Sequence, residues 1–238
     1  MKRLLTTLVI LTGLIGAGGA VWAQDLNKGM EAYKSGDYVT ALKEWRPLAD
    51  QGNAAAQYNL AFIYNYGNSD AGVTQDDAEA VKWFRKAAEQ GHALAQHNLG
   101  YKYRKGEGVT QDDAEAVKWY RKAAEQGVVT SQINLGLMYF FGQGVTQDYA
   151  EAAKWYRKAT EQGVAAAQLN LGVMYFSGEG VLQDMIAAHM WFNIAAENGD
   201  TVAEENRDIV AGKLSSSDIV KAQNRAKRCM SSGYKDCD

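Results

Sequence analysis

A 36-residue period governs what this chain can fold into. Aligned on a closing glycine, its units end at Gly52, Gly91, Gly127, Gly163 and Gly199, in steps of 39, 36, 36 and 36 residues. A tryptophan recurs in register at Trp83, Trp119, Trp155 and Trp191. Self-similarity at such a period specifies stacked supersecondary units, because one unit is too small to bury its own apolar face. The expected organisation is a divergent N-terminal capping repeat over 24–52, four full repeats over 53–91, 92–127, 128–163 and 164–199, and C-terminal capping helices over 200–238.

The repeat over 92–127 holds two apolar-periodic segments joined by glycines. In the first, Ala95, Leu99 and Tyr103 fall at i, i+4 and i+8, one face of a helix. Gly100 is costly inside a helix, by roughly 1 kcal/mol against Ala. Its return at Gly136 and Gly172 predicts that a second helix approaches closely there. Gly106-Glu107-Gly108 breaks the first helix. Asp112-x-x-Glu115 opens the second as a capping pair, repeated at Asp76/Glu79 and Asp148/Glu151 but missing its Glu after Asp184. Ala116, Trp119, Tyr120 and Ala123 follow as an amphipathic stripe, and Gly127 ends the helix. The tryptophans read as shared core layers. Trp45 in the divergent first unit aligns with Phe84, Tyr120, Tyr156 and Phe192.

The recurring pattern A-x-Q-x-N-L-G-x-x-Y, G-x-G-V, A-x-x-W-[YF] and A-x-x-x-G resembles the Sel-one-like repeat, a longer relative of the tetratricopeptide repeat. The resemblance runs from about Gly52 to Gly199. It implies an all-α, right-handed α-solenoid of stacked helical hairpins, and an adaptor or scaffold role toward a protein or peptide partner. It implies no cofactor.

Both ends carry further signals. Residues 1–23 read as a secretory signal peptide: Lys2 and Arg3 form a basic start, Leu4 to Ile15 an apolar core, and Val21-Trp22-Ala23 a cleavage site after Ala23. The expected location is therefore the periplasm or the medium, with no transmembrane span after signal removal. Removing Lys2 and Arg3 leaves 23 basic against 28 acidic residues, a net charge near −5 that argues against a nucleic-acid partner. The only cysteines are Cys229 and Cys237. In an exported chain such a pair reads as a disulfide that pins the C-terminus. Ser215 to Asp218 can cap a last helix from Ile219 to about Cys229, whose Ile219, Ala222 and Ala226 would lie over the last repeat. Its Lys221, Arg225, Lys227 and Arg228 would face water.

No catalytic or metal site emerges. His92, His97 and His189 make no H-x-x-x-H pair, and no nucleophile elbow or phosphate loop occurs. The longer loop from Tyr66 to Gly72 accounts for the 39-residue step; Asn68, Asp70, Asp76 and Asp77 there lack the spacing of a calcium loop. Acidic residues are expected to pair along helix faces, as Glu115 with Lys118, Arg121 with Glu125 and Arg157 with Glu161. Some exported cysteine-rich relatives of the family, described as penicillin-binding or β-lactamase-like, carry a cysteine pair in each unit. This chain has none inside its repeats. The expected function is thus non-enzymatic protein binding. The alternatives are an envelope hydrolase or binder of cell-wall fragments or β-lactams, and a secreted factor that binds a host protein.

If the stack resembles tetratricopeptide arrays, its first helices line a concave groove. The candidate binding residues are then Tyr58, Phe62, Asn65 and Tyr66; His97, Tyr101, Arg104 and Lys105; Ile133, Leu137, Phe140 and Phe141; and Leu169, Val173, Phe176 and Ser177. These positions differ between units while the remainder nearly repeat. They predict a groove for a peptide or amphipathic helix with a basic end at Arg104 and Lys105. The opposing expectation is that curvature or the C-terminal helix covers them.

Overall fold

The computed structural model describes residues 17–67 and 72–237. The basic start and apolar core of the signal sequence, and Asn68 and Asp70 of the long loop, lie outside the described residues. Those residues form twelve helices and no strand, an all-α repeat fold. The chain divides into two compact units, the first ending at Lys86 and the second beginning at Ala87, inside a helix.

The first unit contains α1 (Ala17–Lys34), α2 (Tyr38–Asp50) and α3 (Ala54–Tyr66); α4 (Asp77–Glu89) carries the division. Helix α1 runs through the expected cleavage point after Ala23. Trp45 is buried against α1, its indole donating to the Leu26 carbonyl at 3.1 Å. A Cβ on Gly29 would lie 2.2 Å from that indole nitrogen, so only glycine admits the ring. Gln57 is buried and donates to the Ala49 carbonyl at 3.0 Å, tying α3 to α2.

The second unit contains α5 (Ala93–Lys105), α6 (Asp113–Glu125), α7 (Val129–Phe141), α8 (Tyr149–Thr160), α9 (Ala165–Ser177), α10 (Met185–Glu197), α11 (Thr201–Ala211) and α12 (Ser216–Ser231). Consecutive helices from α5 to α11 pack, and α12 returns onto α10. The helical glycines mark the closest approaches: Tyr120, Tyr156 and Phe192 sit against Gly100, Gly136 and Gly172. Buried glutamines link the repeats. Gln96 and Gln132 donate back to the Ala88 and Ala124 carbonyls, and accept from Gln126 and Gln162 just past the end of the following second helix. Gln168 accepts from Asn198 in the same way, at 2.9 Å.

Two local expectations are corrected. The aspartates cap as read, with Asp112 and Asp148 accepting from the amides of Glu115 and Glu151. The glutamate does not reach back, because the Asp112 amide is already bonded to the Tyr103 carbonyl. Glu115 instead accepts from the Trp119 indole and pairs with Lys118 at 2.9 Å. Nor do Arg121 and Arg157 pair with Glu125 and Glu161. They donate to the hydroxyls of Tyr139 and Tyr175 on the next repeat, as Arg46 does to Tyr64 in the first unit. A phenol 18 residues ahead is within reach only because the repeats stack.

The C-terminus is closed by specific replacements. Lys82, Lys118 and Lys154 give way to Met190, and Lys86, Lys122 and Lys158 to Ile194. Both apolar residues are buried, as are Ala222, Ala226 and Cys229 of α12, the helix that packs on α10. Cys229 and Cys237 are positioned as a disulfide, with Cα atoms 4.4 Å apart. The loop they close holds Tyr234 on Gly163, and its hydroxyl accepts from Asn198 at 3.0 Å.

Candidate functional site

Each first helix has the same two faces. In α5 the buried stripe is Ala95, Gln96, Leu99, Gly100, Lys102 and Tyr103. Every candidate position lies on the opposite stripe, because residues at i, i+3, i+4 and i+7 share a helix face. There Tyr101 and Lys105 are exposed while His97 and Arg104 are half-buried. In α7 Ile133, Leu137 and Phe140 are half-buried and Phe141 is 60% exposed. In α9 Leu169, Val173 and Phe176 are half-buried and Ser177 is exposed. In α3 Tyr58, Phe62 and Asn65 are half-buried and Tyr66 is 66% exposed.

The candidates are grouped unequally. His97 Nδ1 is 2.8 Å from Ser131 Oγ, which joins α5 directly to α7, and its ring lies against Tyr120. Arg104 reaches toward Gln143 Oε1 at 3.5 Å. Phe140 is edge-on to both Phe141 and Tyr149, with ring centres 5.0 Å apart in each case. These aromatic pairs are held by T-shaped contacts that each add about 0.5–1.5 kcal/mol beyond burial.

The fourth set is different. Leu169, Val173 and Phe176 pack against a buried cluster that includes Phe192, Ala203 and Val210, and Lys213 Nζ stands 4.7 Å over the Phe176 ring. The C-terminal cap therefore covers part of this set, and the covering helix is α11. In the first unit, Tyr58, Asn59 and Phe62 line a cavity of about 210 Å³ with Met30, Tyr33 and Trp45. Burial, with the neighbouring Tyr38 and Tyr66, pushes the Tyr33 hydroxyl pKa up.

His97 is held below its ordinary pKa by burial and stays neutral near pH 7. Its partner Ser131 is fully buried, so this serine–histidine pair cannot meet a substrate. Ser131 replaces the alanine found at Ala56, Ala95 and Ala167, and the half-buried His97 satisfies its hydroxyl. Burial also raises the Tyr120 and Tyr156 hydroxyl pKa values, keeping both neutral. Among the described residues, no group of three or more His, Cys, Asp or Glu side chains could hold a metal ion. No described helix is long and apolar enough to cross a membrane. The Ser131–His97 contact was hidden in the sequence. Its only sign is that both residues depart from the repeat at positions 34 apart.

Comparison with known proteins agrees with this architecture. A family model described as Sel1 repeat matches residues 54–92, 93–128, 129–164 and 165–200, each match ending one residue past a closing glycine. Among solved structures, the chain is similar to a protective antigen present in uropathogenic Escherichia coli strains that displays an SLR fold. The identity is 35% and the TM-score 0.78, over 90% of this chain and 47% of that one. It is also similar to a Sel1 repeat protein from Oxalobacter formigenes, at 39% identity and a TM-score of 0.70, over 75% of this chain and 72% of that one. The chain spans about half the length of the Escherichia coli antigen. No curated protein matches it.

Proposed function

The chain belongs to the Sel1 repeat family, whose members generally mediate protein–protein interaction, and from that premise we propose that it is an exported, non-enzymatic scaffold. It binds a protein partner along the outward stripe of its first helices. The observation that carries this reading is the contrast between the two stripes of α5 and α7. The packed residues repeat from unit to unit, while the outward ones, asparagine apart, diverge into a basic-aromatic set and an apolar one. Tyr101 is 41% and Phe141 60% exposed. Large exposed aromatics beside half-buried apolar groups are what protein interfaces use as anchors. The basic end at Arg104 and Lys105 suits acidic groups on the partner.

Export belongs to the same proposal. Its support is the basic start and apolar core before Ala23 and a terminal cysteine pair placed for a disulfide, which persists in oxidising compartments. Export predicts a mature chain that begins at Gln24 and is recovered from periplasm or medium, which intact-mass measurement of fractionated cells reads directly. A full-length mass in the cytoplasmic fraction would refute it.

The binding reading is tested by affinity capture from envelope and medium fractions. The baits are mature wild type, Tyr101→Ala/Arg104→Ala and Phe140→Ala/Phe141→Ala, each first verified as folded. A protein held by wild type and lost with either double variant supports the stripe. Equal capture by all three baits moves the site elsewhere on the surface.

A further inference from the structure

Asparagine recurs on the outward stripe of each first helix: Asn59 in α3, Asn98 in α5, Asn134 in α7 and Asn170 in α9. Each is half-buried. Among the described residues, none of these four side-chain amides has a hydrogen-bond partner. Asparagine is a poor helix former, since its amide competes with the backbone, so nothing local favours it at a mid-helix position. Duplication of a common unit does not account for it either. One residue before it the chain reads His97, Ile133 and Leu169, and three after it Tyr101, Leu137 and Val173. The outward neighbours have diverged while the amide, like the buried Gln and Leu beside it, has stayed.

We propose that Asn98, Asn134 and Asn170 form a row of main-chain-reading groups that binds an extended peptide across the second unit. This deepens the protein-binding reading and rests on it. A carboxamide presents an NH₂ donor and a carbonyl acceptor side by side, the complement of a peptide C=O and N–H. An extended segment offers those groups in alternation along its edge, independent of sequence. Helices α5 and α7 are in direct contact through His97 and Ser131. Packed helices lie about 8–10 Å apart, and an extended chain of the polyproline type turns once in three residues, about 9.3 Å, returning the same main-chain edge to the row. Successive amides therefore meet the peptide at about every third residue. The two residues between rungs are left to the divergent side chains, so Tyr101 and Phe141 choose sequence while the asparagines hold the backbone. In the first unit, the matching Asn59 lines the aromatic cavity, so in that unit the position opens onto a recess.

The test starts from a random decapeptide library displayed on phage and selected on the mature full-length protein. Several unrelated selected peptides are synthesised and titrated against wild type, Asn98→Ala, Asn134→Ala, Asn170→Ala, Tyr101→Ala and Phe141→Ala. Each asparagine variant is expected to weaken every peptide by a similar factor, roughly five- to tenfold, the loss of one net hydrogen bond. Tyr101→Ala and Phe141→Ala are expected to weaken peptides unequally, according to sequence. The melting temperatures of the asparagine variants stay level or rise, because alanine is the better helix former; a fall would reveal a structural role and overturn the proposal. Binding lost in Tyr101→Ala or Phe141→Ala but unchanged in all three asparagine variants overturns the row and leaves the stripe standing. Peptides indifferent to all five substitutions, or a library that yields no binder, overturn both.

Discussion

Substituting Gly136 by alanine tests the packing logic of the array, because two effects predict opposite signs. A methyl on Gly136 would lie 2.6 Å from Cε1, 2.9 Å from Cδ1 and 3.0 Å from Cζ of Tyr156. Tyr156 is 1% exposed, so its ring has nowhere to retreat. Overpacking a closed core costs about 1–3 kcal/mol. Alanine in place of a mid-helix glycine returns about 1 kcal/mol. At 2.6 Å from a ring that cannot move, the contact belongs in the upper part of the overpacking range, about 2–3 kcal/mol, so it outweighs propensity and Gly136→Ala should destabilise by about 1–2 kcal/mol. With a urea slope of about 2 kcal/mol per molar, the midpoint falls by about 0.5–1 M. The contacts also rank the three sites: the nearest approach is 2.6 Å at Gly136, 2.7 Å at Gly172 and 2.9 Å at Gly100, so the loss should decrease in that order. Tyr156→Leu alone removes a buried ring and costs about 2–4 kcal/mol. Combined with Gly136→Ala, the new methyl enters space the ring has left, and the pair should be less harmful than the sum by about 1 kcal/mol or more. A Gly136→Ala protein as stable as wild type, or more so, would refute the close-approach account and reduce the glycine to a tolerated weakness.

Three further outcomes follow from particular contacts. Gly144, at φ +66, packs with its α carbon against the Asp113 carbonyl, which a Cβ would approach to 2.2 Å, whereas Gly127, at φ +88, has nothing within 4 Å of its Cβ position. Chemical denaturation should show Gly127→Ala losing only the left-handed penalty of about 1–2 kcal/mol, and Gly144→Ala losing at least about 1 kcal/mol more through backbone collision. Burial holds His92, His97 and His189 below their ordinary pKa. The folded chain then binds fewer protons than the unfolded chain below about pH 6.5. Melting temperature should be level above that pH and fall as pH drops through the depressed values; a stability that rises on acidification from pH 7 to 5 would contradict the burial. Opening the Cys229–Cys237 link by Cys237→Ser should cost about 2–3 kcal/mol for so short a loop and release Tyr234 from Gly163, making the tail the first site of limited proteolysis. Identical melting and cleavage with and without the link would show that α12 needs no pin.

The sequence by itself determined the repeat. The aspartate caps and the glycine stops lie within one 36-residue unit, and the period is their return from unit to unit. Such short-range rules therefore reveal them. The close approaches at Gly100, Gly136 and Gly172 were legible too, because a costly residue that returns in register requires a packing cause. The candidate stripe was legible as a set of positions, through its variation against a fixed background. Its environment was not. Only the folded chain decided that α11 rather than α12 lies against Leu169, Val173 and Phe176. It alone decided that Arg121 and Arg157 choose tyrosines 18 residues ahead, and that Glu115 serves the Trp119 indole instead of its own cap. It also decided the division at Lys86 and Ala87, within a helix the sequence reads as continuous. The physical reason is common to these cases. A helix pattern states which face turns inward, whereas the partner that meets a long polar side chain, or covers an outward face, is set by a segment from another repeat. That choice depends on stacking distances no single unit encodes.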